Sequence, residues 1–427
     1  MSGDVEVEDP GVRASFRYWE IVITVVRGPY KGREFAFTTD VVTVGKAPQN
    51  DIPLPDETVS RQHMEILRDA KGYLLRDLGS TNGTFLDGAE IREAFLRNGS
   101  QVTVGETRFR FRAVQRRVRT EPFGADTLDG LVGAAAAMRR AFGLVQAVAP
   151  LDVTVLLFGE SGTGRRSFAE VIHGRSALQT SPYTLVDCGG EPAARLEKLL
   201  FHGRTGAFER VEGGTVALLE PWEIPLALQS RVAEAIRRRR SPLSAGLTSH
   251  RGGGQRIVAL SSRELGQEVD RGRLNEQLCA TLDRVRIELP PLRERLGDLP
   301  PLVSSFLADL EKEGTAAGCR VAAVLGDIGS VMHWTGNLAS LRQAVDSLSL
   351  LHEDRALHLL ESTTADPLAF DPERSFGQNK ERWVDAFERR YLEWLLAEHG
   401  GNVSGSARSA DMDRKHLHRL LKRYDLR

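Results

Sequence analysis

The sequence is short of cysteine, of long apolar runs and of net charge, and each shortage excludes a class of protein. Its three cysteines are too few and too scattered for a disulfide framework or a metal site, and they favour a reducing compartment. No apolar run approaches the length of a membrane span, and the acidic N-terminus lacks the apolar core of a signal peptide. We therefore expect a cytoplasmic protein with no metal site and no membrane contact.

The charges nearly cancel, since 57 lysines and arginines stand against 58 aspartates and glutamates. Any contact with nucleic acid must therefore come from a local basic patch and not from the overall electrostatic field. The 427 residues are too many for one hydrophobic core, and this length predicts about two to four domains.

Residues 18–114 have the pattern of a small all-β sandwich. Short strand-like runs are separated by turn signals, and residues 108–112 alternate between arginine and phenylalanine as a strand with one buried face does. Three polar clusters, at 45–46, 60–63 and 77–84, fall on the predicted loops. A cation with several short neutral donors suits a dianionic phosphate.

These three clusters, in this order, resemble those of the forkhead-associated (FHA) domain, a fold that binds phosphothreonine. The resemblance assigns Lys46, Ser60, Arg61 and Thr81 to the phosphate and Asn82 to the peptide backbone, with His63 bracing the loop. The family usually has arginine at the position of Lys46, so a bidentate contact becomes a single one. The alternative is that these are turn residues of an inert β domain. The three clusters together favour binding.

Residues 115–126 are predicted to be a linker. This stretch is rich in arginine and contains Thr120, which could serve as a tethered ligand after phosphorylation. The alternative is an ordinary solvated linker.

A glycine-rich stretch, 159–166, follows the apolar residues 153–158 and precedes a helix-like segment. The backbone N–H groups of such a loop point at phosphate oxygens at a helix N-terminus. We assign a degenerate nucleotide-binding loop to Gly159, Gly162, Thr163, Gly164, Arg165 and Arg166. The loop ordinarily ends in lysine followed by serine or threonine. A guanidinium is a wide planar fork, so arginine is not a conservative substitute.

Residues 127–365 alternate strand-like runs with helix-length segments, which predicts an α/β domain with a parallel sheet. The domain resembles the AAA+ domain of bacterial sigma-54-dependent activators, whose fold has a P-loop and a helical lid. The resemblance is carried by residues 131–133, 159–164, 213–215, 225–226, 289–295 and 334–337.

Several positions at which this family hydrolyses ATP are changed. Leu219 stands where the family has its metal-organising aspartate, and Asn275 and Thr281 stand at the two arginine-finger positions. Ala339 replaces the second sensor arginine, and Ser261 and Ser262 replace the Thr-Asn pair of the first sensor. Arginine fingers contribute about 10³–10⁵ in rate, and a metal ion contributes several kcal/mol more. We expect no catalytic residue beyond the remnant Glu220, weak or absent ATP binding, and no metal without nucleotide.

The surface loop through which these activators contact the sigma factor is truncated in this sequence. Residues 206–208 are either a remnant of that loop or the start of the following segment. We expect remodelling of sigma-54 polymerase to be lost.

After a predicted linker at 366–380, residues 381–427 have the pattern of three helices, at 381–399, at 402–410 and from 413 onward. They resemble the Fis-type helix-turn-helix that ends sigma-54 activators. The resemblance implies an all-α domain whose third helix enters the DNA major groove, usually as a dimer. The candidates are Arg414, Lys415, His416 and Arg419 for base edges, and Lys422 and Arg423 for phosphates. The alternative is a solvated basic helix that only closes the domain.

Together these features predict a multidomain DNA-binding transcriptional regulator that senses a phosphothreonine protein, linked to a Ser/Thr kinase, and that has lost ATP hydrolysis. We expect a homodimer or a mixed oligomer. One alternative is an active ATP-dependent sigma-54 activator, and another is a phospho-dependent adaptor that does not bind DNA.

Overall fold

A computed structural model describes residues 6–9, 13–69, 72–203, 206–209, 214–238, 255–311, 313–328, 332–350 and 414–424, together with Leu392, Leu395, Leu396, Val403 and Met412. The chain divides into two compact units. The first comprises residues 1–330 and 336–349, and the second comprises residues 331–335 and 350–427.

The N-terminal sandwich consists of two β-sheets that enclose an apolar core. One sheet has the order β1-β2-β12-β11-β8-β9 with β3 paired to β2, and the other has the order β10-β7-β6-β4-β5. The strands are β1 (Glu6–Asp9), β2 (Arg13–Arg27), β3 (Glu34–Phe37), β4 (Val41–Gly45), β5 (Ile52–Pro53), β6 (Met64–Asp69), β7 (Gly72–Asp77), β8 (Thr84–Leu86), β9 (Ala89–Ile91), β10 (Glu93–Leu96), β11 (Gln101–Val104) and β12 (Thr107–Thr120). The predicted all-β sandwich is confirmed.

Strands β2 and β12 are unusually long and stay paired to the ends of both, where Thr120 lies opposite Ala14. We call the part formed by residues 13–19 and 115–120 the ribbon. The prediction of a linker from residue 115 is therefore wrong over 115–120, because this arginine-rich stretch is a strand with a partner. Thr120 is buried and its hydroxyl donates to the Ala14 carbonyl at 3.0 Å, so it is not an exposed tethered ligand.

The central domain is built on a parallel sheet of order β16-β17-β18-β15-β19. Its strands are β15 (Val155–Phe158), β16 (Tyr183–Asp187), β17 (Gly214–Leu219), β18 (Gln255–Ser261) and β19 (Val285–Glu288), preceded by the hairpin β13 (Thr127–Leu128) and β14 (Leu131–Val132). Alternate residues of β15 belong to different cores, with Val155 and Leu157 in one and Leu156 in the other. Both faces of the sheet are therefore covered, as the near-continuous apolar runs predict.

The helices of this domain are α1 (Ala136–Val148), α2 (Arg165–Gly174), α3 (Ala193–Phe201), α4 (Leu226–Arg237), α5 (Leu265–Asp270), α6 (Glu276–Leu282), α7 (Leu299–Asp309), α8 (Ala316–Ile328) and α9 (Asn337–Leu350). The last three follow the sheet in the chain, as a helical lid does, and this part of the fold agrees with the prediction.

The ribbon joins the sandwich to the central domain through a shared core. Ala14 and Phe16 are buried in the same apolar cluster as Phe142 of α1 and Ile287 of β19. Ion pairs also cross this junction, and the Arg284 guanidinium donates to both carboxylate oxygens of Asp40 at 2.9 and 2.8 Å. The two domains are therefore joined by packing and charge as well as by the chain.

In the second unit, helix α10 (Arg414–Arg423) is described, together with a small apolar cluster. Leu417 and Leu421 of α10 are buried with Leu392, Leu395 and Val403. These last three come from the predicted first and second helices, most of whose residues lie outside the described part of the chain. Among the described residues, no helix has the length and apolar character needed to cross a bilayer.

Candidate nucleotide and phosphopeptide sites

The glycine-rich loop connects β15 to the N-terminus of α2, and it has the backbone conformation of a phosphate-binding loop. Gly162 and Gly164 have φ angles of 77° and 105°, in the left-handed region that glycine tolerates. A Cβ atom on Gly162 would lie 2.1 Å from the Gly336 carbonyl oxygen, so no other residue fits there. The Thr163 hydroxyl donates to the Glu160 carbonyl at 2.9 Å, which closes the turn. The backbone cradle is present.

The side chain of Arg165 lies against β17 and pairs with Glu220. Its Nη1 atom lies 2.8 Å from Oε1 of Glu220, and the two side chains are only 7% and 15% exposed. The approach is close without the alignment of a hydrogen bond, so we describe it as an ion pair. The cation that should meet the phosphates is therefore paired inside the protein.

The second oxygen of the Glu220 carboxylate is also occupied. Oε2 accepts hydrogen bonds from Trp222 Nε1 at 2.8 Å, from Ser262 N at 2.9 Å and from the Ser262 hydroxyl at 3.0 Å. Glu220 adopts the left-handed conformation, with a φ of 51°, at the end of β17. Three hydrogen-bond donors and the Arg165 guanidinium therefore surround this carboxylate, and both of its oxygens have partners.

The residue before Glu220 is the buried Leu219, which supplies no ligand for a metal ion. Arg166 is exposed and lies 3.4 Å from a carboxylate oxygen of Asp187. No group of three or more His, Cys, Asp or Glu side chains among the described residues could hold a metal ion. Leu219 thus offers no side-chain oxygen to a metal ion, and Arg165 is paired with Glu220.

The loop is also held from its other side, by Arg293, Asn337 and Leu338, to which the sequence pattern assigned no role. The Arg293 guanidinium donates to both oxygens of Glu160 at 2.8 and 2.6 Å, and these bonds hold the pKa of Glu160 below its ordinary value. The buried Asn337 donates from Nδ2 to the Ser161 carbonyl at 2.9 Å, and Leu338 N donates to the Gly162 carbonyl at 2.9 Å. The start of α9 is thereby attached to the loop. Only contacts of this kind, between residues far apart in the chain, could have assigned these roles.

A cavity of about 540 Å³ adjoins the loop on the side of α2. Thr163 and Gly164 line it together with apolar side chains, among them Met138, Phe168 and Phe306. Charged side chains, among them Asp129, Glu170 and Arg295, also line this cavity.

The residues at the two arginine-finger positions of the family, Asn275 and Thr281, have structural roles at α6. The Asn275 side chain caps the helix by accepting from Leu278 N at 3.0 Å. Thr281 is buried, and its hydroxyl donates to the Gln277 carbonyl at 2.7 Å. Neither side chain is a cation that could reach a neighbouring subunit's phosphate.

Residues 206–208 fold back onto α3. Ala207 is buried in the core, and its N–H donates to the Leu199 carbonyl at 2.8 Å. The rings of Phe208 and Phe201 stack with their centroids 5.6 Å apart. This segment therefore packs as part of the domain and does not protrude, while residues 204–205 and 210–213 lie outside the described part.

The five predicted phosphopeptide residues meet at one end of the sandwich. Thr81 N donates to the Ser60 hydroxyl at 3.0 Å, Lys46 N donates to the Ser60 carbonyl at 2.9 Å, and Asn82 Nδ2 donates to the Thr58 carbonyl at 2.7 Å. Lys46, Arg61, Thr81 and Asn82 are exposed.

His63 is fully buried below this cluster. Its Nδ1 accepts from Ser60 N at 3.1 Å, and its Nε2 lies 3.1 Å from the Gly83 carbonyl, so the neutral tautomer with the proton on Nε2 satisfies both contacts. Burial lowers its pKa, and this favours the same neutral form. The predicted bracing role is consistent with this geometry.

Of the predicted DNA-binding residues, Arg419 and Arg423 are exposed on α10, on the side away from the buried Leu417 and Leu421. Arg414, Lys415, His416 and Lys422 belong to the same helix, but their side chains are not among those that the structure describes.

Two family models match the chain. One, described as "Sigma-54 interaction domain", matches residues 131–288, and the other, described as "Inner membrane component of T3SS, cytoplasmic domain", matches residues 24–115. The transcriptional regulatory protein ZraR of Klebsiella oxytoca is 31% identical over 304 residues, covering 67% of each chain. The nitrogen assimilation regulatory protein NtrX of Azorhizobium caulinodans is 31% identical over 313 residues, covering 68% of each.

Solved structures also align with parts of the chain. NtrX from Brucella abortus aligns over 69% of each chain at 26% identity with a TM-score of 0.47. A structure from a study of phosphothreonine-dependent FHA domain interactions is 31% identical over 22% of this chain and 95% of its own, with a TM-score of 0.21.

An FHA-like sandwich joined to a P-loop AAA+ domain is the architecture that fold and site define. The chain belongs to the family of sigma-54 activators, whose members are transcriptional regulators.

Proposed function

We propose that this protein is a DNA-binding transcriptional regulator that senses phosphothreonine through its FHA-like domain and does not hydrolyse ATP. The ion pair between Arg165 and Glu220 carries the second half of the proposal. It neutralises the only acid retained at the hydrolytic position, and it removes the cation that would hold the phosphates. Leu219 cannot organise the metal ion, and Asn275 and Thr281 cannot act as fingers.

ATP therefore has no hydrolytic role in this proposal, and nucleotide binds weakly or not at all. Remodelling of sigma-54 polymerase is also absent, because it needs ATP turnover and a protruding loop, and residues 206–208 are packed onto α3. Regulation proceeds through binding: a phosphorylated partner protein changes assembly or DNA occupancy.

Phosphate release by the full chain, measured with promoter DNA and a phosphothreonine peptide present, tests the loss of turnover. We expect no release above a protein-free blank and no effect of Glu220→Gln. ATP-dependent release that Glu220→Gln abolishes would instead establish the active sigma-54 activator.

DNA binding is supported by α10, which is basic on its exposed side and apolar on its buried side. Retardation of promoter DNA should weaken steeply with salt, because released counterions drive such binding. The variant Arg414→Ala with Arg419→Ala should lose the retarded band. If the native chain retards no DNA at low salt, the adaptor function is the better account.

A further inference from the structure

Lys46, one of the two cations assigned to the phosphopeptide site, pairs with an acid of this chain. The ammonium group of Lys46 contacts the carboxylate of Glu57, which lies three residues before Ser60. The Glu57 side chain is 89% exposed and that of Lys46 is 39% exposed. The Glu57 carboxylate is thus paired with the Lys46 ammonium group, which is assigned to bind the phosphate.

Hydrogen bonds hold the backbone next to Glu57, whereas the side chain itself is 89% exposed. Asp56 accepts from Thr58 N at 2.9 Å and from the Thr107 hydroxyl at 2.9 Å, and Glu106 N donates to the Thr58 hydroxyl at 3.0 Å. On the other side, Asn82 holds the Thr58 carbonyl. Glu57 therefore stays beside the site whether or not Lys46 is its partner.

We propose that Glu57 selects phosphothreonine peptides that carry a basic side chain next to the phosphothreonine. This inference rests on the proposed phosphothreonine binding. A dianionic phosphate attracts Lys46 more strongly than a single exposed carboxylate does, so binding releases Glu57. The released carboxylate then borders the bound peptide, where a lysine or arginine of the peptide replaces Lys46 as its partner. In the complex, Lys46 pairs with the phosphate and the basic side chain of the peptide pairs with Glu57. Glu57 is then not left unpaired beside the anionic phosphate.

The same exchange disfavours acidic peptides. A carboxylate of the peptide next to the phosphothreonine would lie close to the Glu57 carboxylate. Repulsion between these like charges would weaken the binding of acidic peptides. The expected ligand is therefore a phosphorylated segment of basic character.

The test uses the full chain and three labelled peptides that are identical except at the positions flanking one phosphothreonine, which are lysine, alanine or glutamate, together with the unphosphorylated form of each. Fluorescence anisotropy at constant salt gives the three dissociation constants for the native chain, for Glu57→Gln and for Glu57→Lys. Glu106→Gln is the matched control, because it removes the same charge from an exposed residue on the adjoining turn.

The native chain should bind the lysine peptide about two- to fivefold more tightly than the alanine peptide, a range typical of exposed ion pairs. Glu57→Gln should abolish this preference and bind the alanine peptide more tightly than the native chain does. Glu57→Lys should prefer the glutamate peptide, and Glu106→Gln should behave as native.

Equal affinities of the native chain for all three peptides, or the same change in Glu57→Gln and Glu106→Gln, would overturn the role of Glu57 while leaving phosphothreonine binding intact. If the native chain and Glu57→Gln bind no phosphorylated peptide more tightly than its unphosphorylated form, the proposed phosphothreonine binding fails and this inference fails with it.

Discussion

Arg165 stands where phosphate-binding loops ordinarily have a lysine. A lysine at the start of α2 would extend to the phosphates as a point charge, whereas the guanidinium of Arg165 reaches the carboxylate of Glu220 across the site. A buried pair of this kind is stable only while both partners remain, because either charge alone pays the desolvation cost without compensation.

The replacements Arg165→Met and Glu220→Gln should therefore each lower the melting temperature of the first unit, at a cost of about 2–4 kcal/mol. The double variant should lose much less than the sum of the two, because no unpaired charge remains. Calorimetry of the full chain measures these shifts. Arg166→Met, at the exposed neighbouring arginine, is the control and should change little. Additive losses in the double variant would show that the two charges are not coupled.

Asp77 links the stability of the sandwich to pH. Burial raises its pKa, but hydrogen bonds from the Ser80 and Thr84 hydroxyls and from the backbone at Gly79 and Ser80 outweigh burial, so the net pKa is lowered. A lowered folded-state pKa stabilises the fold above the ordinary value of 3.8, and this stability is lost as the pH falls through the lower folded value.

We therefore expect Asp77→Asn to lower the melting temperature at neutral pH. The difference in melting temperature between this variant and the native chain should become smaller as the pH falls below about 4. Melting curves between about pH 7 and pH 3 test this expectation. A difference that stays constant over this range would mean that the Asp77 charge has no part in stability.

For single residues, the sequence indicated which of them belong to each candidate site, but it did not indicate what their side chains contact. It predicted that Arg165 and Glu220 belong to one site and that Ser60 and four other residues belong to another, because glycine spacing and turn signals place them on loops and strand ends. It could not predict that Arg165 and Glu220 would pair, since a long side chain has several partners within reach. It gave no role to Arg293 or Asn337, because their contacts join residues that are far apart in the chain.

At the scale of elements, the loop between β15 and α2 is connected to α9 by backbone contact. Gly162 makes this contact possible, since it has a φ of 77° and has no room for a Cβ atom beside Gly336. Gly162→Ala should separate the loop from α9 and lower stability by about 1–3 kcal/mol, and hydrogen exchange at the start of α9 should rise.

Gly174→Ala is the matched control for this prediction. Gly174 ends α2 without a positive φ, and no atom lies within 4 Å of the position of an added Cβ. This substitution should be neutral or slightly stabilising. An equal loss of stability in both variants would contradict the contact between the loop and α9.

At the scale of the molecule, the sandwich and the central domain share a core through the ribbon. The sequence predicted both domains but placed a linker over residues 115–120, because charged arginines on an exposed strand face have the composition of a linker. The pairing of these residues with β2 and the burial of Phe16 against α1 depend on tertiary contacts that no local pattern encodes.

Phe16→Ala should therefore destabilise the central domain as well as the sandwich, with a loss of about 3–5 kcal/mol. Hydrogen exchange in β15 and β19 reports on the central domain directly. Phe35→Ala is the matched control, because Phe35 is buried in the core of the sandwich alone. If Phe16→Ala leaves exchange in the central sheet as slow as Phe35→Ala does, the shared core does not couple the two domains.

We infer that the ion pair between Arg165 and Glu220 has taken the place of nucleotide binding and hydrolysis in this protein. Calorimetric titration of the full chain with ATP and magnesium tests it most directly, with Arg165→Lys plus Leu219→Asp as the reference variant. We predict no saturable heat for the native chain, and binding for the reference variant, in which a compact cation and a metal-organising carboxylate are restored. Micromolar binding of magnesium–ATP by the native chain would contradict the claim.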